Sequence, residues 1–249
     1  MTTLTLLTGS SRGMGEAMAR QCLQAGHQVL GMARHANAGL VALAAPQQLT
    51  QWEVDLSEAQ GVAERLATWL GEQDAQRFNA VQLINNAGVI ATLAPLSQVP
   101  LSETVHALRV GLEATLLLTS RFLAATADWP AQRKVLNISS GLGRRAMAGS
   151  ASYCAAKAGM DHFSRAVALE EAVKPNGARI VSLAPGVIAT DMQVQLRSAD
   201  PVQFPDRMAF EQLLAQGQLA SPDDAARKVL AYLARADFGS QPVGDVRDA

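Results

Sequence analysis

In the stretch SASYCAAKAG, Ser150 to Gly159, nearly every side chain is small, yet a tyrosine and a lysine stand one helical turn apart. On a helix, Tyr153 and Lys157 share one face. A tyrosine hydroxyl with an ordinary pKa of about 10 holds its proton at neutral pH. An adjacent ammonium stabilises the phenolate and makes the hydroxyl a usable proton donor and acceptor. Upstream, Ser140 follows the apolar run KVLNIS at the end of a predicted strand. A hydroxyl there can donate to a carbonyl oxygen and stabilise an alkoxide developing on it. Ser139 points to the other side of such a strand, so the role falls on Ser140. Tyr/Lys pairs at this spacing also decorate solvated helix faces, so spacing alone leaves both uses open. A hydrolytic serine is disfavoured, because NISSG is not G-x-S-x-G and His27, His35, His106 and His162 show no supporting pattern. No histidines or cysteines occur at metal-ligand spacing, so no metal site is expected.

A second cluster is TGSSRGMG, with Gly9, Gly13 and Gly15 between a predicted strand and helix. Glycines there let backbone amides approach a phosphate while the helix N-terminus favours negative charge. The spacing matches neither a P-loop nor G-x-G-x-x-G. At the end of the second strand, where an NAD site usually carries an acidic residue, the chain reads GMARH. Arg34 there and Arg12 in the glycine turn suit a 2′-phosphate, which guanidinium binds as a planar fork. NADP(H) is therefore the expected cofactor; two solvated surface arginines would look the same in sequence.

These groups need a scaffold. Short aliphatic runs at 3–8, 28–33, 50–55, 80–85, 134–139 and 178–183 alternate with helical segments at 13–25, 57–70, within 101–127 and about 151–173. That rhythm predicts a single α/β domain over 1–249, a Rossmann-type doubly wound parallel sheet with helices on both faces. Residues 185–220 form an insertion-like segment expected to wall or cover a binding site, followed by a helix capped by Ser221. The 21 basic and 22 acidic residues nearly cancel, which argues against nucleic acid or an anionic membrane as partner. No apolar run approaches the roughly 18 residues of a membrane span. The N-terminus lacks a basic leader, and the two cysteines, Cys22 and Cys154, give no disulfide framework. A cytoplasmic protein is expected.

Taken together, TGSSRGMG, VDL at 54–56, NNAG at 85–88, Ser140 with YCAAK at 153–157, and PGVIATDM at 185–192 resemble the short-chain dehydrogenase/reductase family along essentially the whole chain. The resemblance implies that Gly9, Ser11, Arg12, Gly13, Met14 and Gly15 hold the cofactor phosphates, with Arg34 beside the adenosine ribose. It implies Asp55 at the adenine amino group with the Leu56 amide beside it, and Asn86, Ala87 and Gly88 along the ribose side. Pro185, Gly186, Ile188 and Thr190 would hold the nicotinamide end. Tyr153 would be the general acid, Lys157 its pKa-lowering partner and ribose ligand, and Ser140 the group orienting a substrate carbonyl. The C-terminal half is similar to the sepiapterin reductase and benzil reductase branch, whose members reduce vicinal dicarbonyls with NADPH. Asp245 in VGDVRD stands where that branch has an acidic substrate anchor.

The implied function is an NADPH-dependent carbonyl reductase acting on a small-molecule ketone, as a homodimer or homotetramer. The alternatives are an alcohol dehydrogenase for a sugar, steroid or other secondary alcohol, and a non-catalytic NADP(H) sensor. One departure from the family pattern is Gly111, at the position of a helix-kinking, water-holding asparagine. Glycine permits a kink but offers no side-chain oxygen.

Overall fold

The computed structural model describes residues 2–248. The aliphatic runs form strands, each followed by a helix: β1 (Thr2–Thr8), α1 (Gly13–Gln24), β2 (Gln28–Ala33), α2 (Ala38–Leu43) and β3 (Leu49–Glu53), then α3 (Ala59–Gly71), β4 (Phe78–Asn85), α4 (Leu101–Leu108) and α5 (Ala114–Ala125). The chain continues through β5 (Gln132–Ile138), α6 (Ala151–Ala172), β6 (Arg179–Ala184), α7 (Asp191–Arg197), α8 (Arg207–Ala215), α9 (Pro222–Ala234) and β7 (Val243–Asp245). The strands pair in the order β3-β2-β1-β4-β5-β6-β7, all parallel. Central Leu6 lies level with Leu30 on one side and Leu83 on the other. The winding reverses between β1 and β4, and such a reversal opens a crevice at the carboxyl ends of the strands.

Alternation along each strand supplies two cores. Leu4 and Leu6 of β1 join Leu66, Leu118 and Phe122 from α3 and α5, whereas Leu7 joins Met18, Val229 and Leu233 from α1 and α9. Full burial of each such side chain contributes about 1.5–3 kcal/mol. This two-sided covering is why the strands read as continuous apolar runs. A third, smaller cluster gathers Leu93, Leu142, Met147, Tyr153, Leu196 and Phe204 beneath the 185–220 segment. That segment contains α7 and α8 and is tied down by an Ile188–Ala220 bridge.

Some details differ from expectation. The helix expected from 57 begins as a tight 3-10 turn, Leu56–Glu58, before α3. The short link after β2 contains α2, and β7 near the C-terminus has only three residues, too few for its pattern to stand out. The helix expected within 101–127 is broken by a π-helical turn at Arg109–Glu113. Ser221 caps α9, its hydroxyl accepting from the Asp224 amide at 3.0 Å. No helix among the described residues is long and apolar enough to cross a membrane.

Candidate active site

All of the residues expected to contact cofactor or substrate, from Gly9 to Asp245, line one cleft of about 600 Å³ along the carboxyl ends of the strands, whereas Gly111 does not. Its floor is built where β1 and β4 end. The Thr8 hydroxyl accepts from the amides of Asn86 at 2.9 Å and Ala87 at 3.0 Å, and the Asn86 side chain donates back to the Thr8 carbonyl at 3.0 Å. These bonds lock the glycine turn against the NNAG loop. Gly9 and Gly13 have φ of +68° and +59°, a region that disfavours any side chain. A Cβ on Gly15 would stand 2.0 Å from the Gly9 carbonyl oxygen. Together with the α1 N-terminus, this bare turn fits the diphosphate of a dinucleotide.

The part of the cleft beyond the ends of β2 and β3 carries Arg34 and Asp55. Arg34 has no ion-pair partner among the described residues. Asp55 caps the turn after β3, its carboxylate accepting from the Ser57 amide at 2.8 Å and the Ser57 hydroxyl at 2.9 Å. Those hydrogen bonds hold its carboxyl below the usual carboxylate range. Arg12, expected to be available to a phosphate, instead forms an exposed ion pair with Asp191, the first residue of α7.

At the other end, α6 presents Tyr153 and Lys157 to the cleft, and the strand end of β5 delivers Ser140. Small residues on α6 permit the close packing that this requires. A Cβ on Gly159 would stand 2.9 Å from the Leu112 side chain, and a Cβ on Gly111 would lie 3.2 Å from that of Ala156. The Lys157 Nζ donates to the Ile138 carbonyl at 2.6 Å and lies 5.6 Å from the Tyr153 ring centroid. Burial pushes the Lys157 ammonium down to about 8, with the Asp161 carboxylate opposing it. Burial also pushes the Tyr153 hydroxyl up to about 12, against a hydrogen bond from Ser140. Burial therefore outweighs the stabilisation of the phenolate that the sequence argument assigned to Lys157. The reason is geometric, since the ammonium is directed to a backbone carbonyl. Ser139 also borders the cleft, and its hydroxyl donates to Asp161 at 2.6 Å.

Asp245 lies in the cleft wall but is not free. Its carboxylate accepts from the Arg247 side chain at 2.8 and 2.6 Å and from the Arg247 amide at 2.9 Å. The Arg247 guanidinium holds its carboxyl below the usual range. Sequence reasoning missed Arg247, although an i, i+2 Asp/Arg pair at the chain end was a visible signal. It also missed the apolar wall of Leu142, Met192, Leu196 and Phe210, which arises only when the 185–220 segment folds over α6.

The family model for short chain dehydrogenases matches residues 3–201. A benzil reductase ((S)-benzoin forming) from Bacillus cereus is 32% identical over 243 residues, covering 97% of this chain and 96% of the relative. A sepiapterin reductase from Rattus norvegicus is 31% identical over 249 residues, covering 94% and 92% respectively. The crystal structure of a short-chain dehydrogenase/reductase from Burkholderia vietnamiensis matches with a TM-score of 0.64 at 33% identity, over 99% of this chain and 97% of that one. On the strength of sheet order, cleft and full-length similarity, the chain belongs to the short-chain dehydrogenase/reductase family, a nicotinamide-dependent oxidoreductase acting on CH–OH/C=O groups.

Proposed function

We propose that the protein is an NADPH-dependent carbonyl reductase for vicinal dicarbonyls, with neutral aromatic diketones as the substrate class. The observation that carries this reading is the convergence of Ser140, Tyr153 and Lys157 at one end of a cleft whose other end holds a glycine turn and Arg34. Bound NADPH supplies the hydride that reduces the carbonyl carbon. The Ser140 hydroxyl donates to the substrate oxygen and orients it. Tyr153 passes its proton to that oxygen as charge builds, and Lys157 stabilises the phenolate left behind. Gly9 to Gly15 hold the diphosphate, Asp55 and Leu56 the adenine, Asn86 to Gly88 the ribose side, and Pro185 to Thr190 the nicotinamide end.

Arg34 and Arg12 favour a 2′-phosphate, and Arg12 must leave Asp191 to reach it. The similarity to benzil and sepiapterin reductases supports a dicarbonyl substrate. Between these two, Arg247 already takes three of the acceptor sites of Asp245, so the amino donors of a pterin would compete with a guanidinium for its carboxylate. The apolar wall of Leu142, Met192, Leu196 and Phe210 suits aromatic rings instead. We place the protein in the cytoplasm as a homo-oligomer, with exposed Leu101, Val105, Leu116 and Leu169 on α4, α5 and α6, and Val173 just after α6, as the joining surface. The test is NADPH oxidation with benzil by the wild type and by Tyr153→Phe. The variant should lose about 10²- to 10⁴-fold in kcat, the range of a positioned acid; an equally active variant removes Tyr153 from the mechanism.

A further inference from the structure

Asp161 is buried under the candidate site, 2% exposed, and has no part in the proton delivery just described. It follows Lys157 by one turn of α6. Burying a carboxylate costs several kcal/mol unless it is paired and hydrogen-bonded, and Asp161 is held from three directions. Ser139 donates its hydroxyl to Oδ1 at 2.6 Å, and Ser182 of β6 donates to the same oxygen at 2.6 Å. Arg144 donates Nε to Oδ2 at 3.2 Å and reaches on to the Gly244 carbonyl in β7 at 2.8 Å. Gly143 leaves the space for this, because a Cβ there would stand 2.9 Å from both Asp161 Oδ2 and the Lys157 carbonyl oxygen.

The consequence lies in three consecutive residues. Ile138 is fastened to α6 through Lys157, Ser139 through Asp161, and the next residue is Ser140. We propose that Asp161 is a positioning residue of the reductase site, fixing Tyr153 and Lys157 in register with Ser140 and supplying the buried counter-charge to Lys157. The proposal rests on the carbonyl-reductase reading for its catalytic meaning. Other ionisable groups around Lys157 are Tyr153 on its own helix, His106 on α4, Arg144 and Arg145 on the loop after β5, and the Asp245–Arg247 pair at β7. Among these described residues, it is the Asp161 carboxylate that favours the Lys157 ammonium and opposes the effect of burial.

The chain has four lysines, Lys134, Lys157, Lys174 and Lys228, so ¹³C-lysine NMR titration resolves Lys157, assigned with Lys157→Met. In Asp161→Asn, which keeps shape and removes charge, the Lys157 midpoint should fall by about one pH unit. The alkaline limb of kcat/KM should move with it. In Arg144→Met, which removes the competing cation from a side chain 32% exposed, the midpoint should rise. A folded Asp161→Asn protein whose Lys157 titrates as in the wild type overturns the proposal, even if stability or kcat falls. Should Asp161→Asn fail to fold, an unmoved Lys157 in Arg144→Met overturns it. Because the titration needs no turnover, a wild type that reduces no carbonyl would refute the reductase reading while leaving this test intact.

Discussion

At the scale of single residues, the site depends on two buried ionisable groups whose protons move in opposite senses. Lys157, pushed down to about 8, is cationic at neutral pH and loses its charge as pH rises through that value. Tyr153, pushed up to about 12, keeps its proton throughout that range. Reduction needs the proton on Tyr153 and the cation on Lys157. Hence kcat/KM for NADPH, which reports the free enzyme, should be flat below about pH 8 and fall roughly tenfold per unit above it. A rate that rises through that interval would show that the ammonium is not required. The types and spacing of Ser140, Tyr153 and Lys157 were legible in sequence, and the structure brings all three into one cleft. The direction of the Tyr153 shift was not, because it depends on burial and on the carbonyl to which Lys157 points.

At the scale of elements, the glycine turn and the buried anchors of α6 set what the site can hold. Gly15→Ala would place a methyl 2.0 Å from the Gly9 carbonyl oxygen, so the turn must open. Overpacking of this kind costs about 1–3 kcal/mol. NADPH affinity, measured by nucleotide fluorescence, should weaken by about ten- to a hundredfold; unchanged affinity would mean that the turn does not hold the cofactor. At the far end of α6, Arg133 and Glu171 form a buried ion pair at 3.1 Å, their side chains 3% and 1% exposed. Glu171 also accepts from the Ala178 amide at 2.8 Å. Glu171→Ala leaves a buried guanidinium without its carboxylate and should destabilise the fold by about 3–5 kcal/mol in denaturant unfolding. A loss below about 1 kcal/mol would place the pair effectively in water.

The alternation of strands and helices predicted these elements because buried parallel strands leave unbroken apolar runs. The break at Gly111 is an instructive exception. The sequence shows only a missing asparagine, whereas the structure shows a π-helical turn at Arg109–Glu113 that brings Gly111 against Ala156. Backbone geometry supplies the kink, and the tight contact leaves little room for a larger side chain.

At the scale of the molecule, sheet order decides where chemistry happens. Reversal between β1 and β4 gathers loops from both halves of the sheet, so residues as distant in sequence as Gly9 and Asp245 share one cleft. The family pattern located those loops. It did not reveal that Arg12 pairs with Asp191, 179 residues away, since those partners meet only through tertiary structure; the local pairing of Arg247 with Asp245 was visible as an i, i+2 pair. The Asp245–Arg247 pair and the apolar wall beside it support the proposed substrate class, and one measurement tests it most directly. Initial rates should be recorded with benzil and NADPH, with benzil and NADH, and with the Tyr153→Phe variant. The account predicts NADPH consumption matched by hydroxyketone formation, a rate with NADH at least about tenfold lower, and a variant slowed by about 10²-fold or more. Absence of NADPH consumption with benzil and other vicinal dicarbonyls, or equal use of NADH, would contradict it.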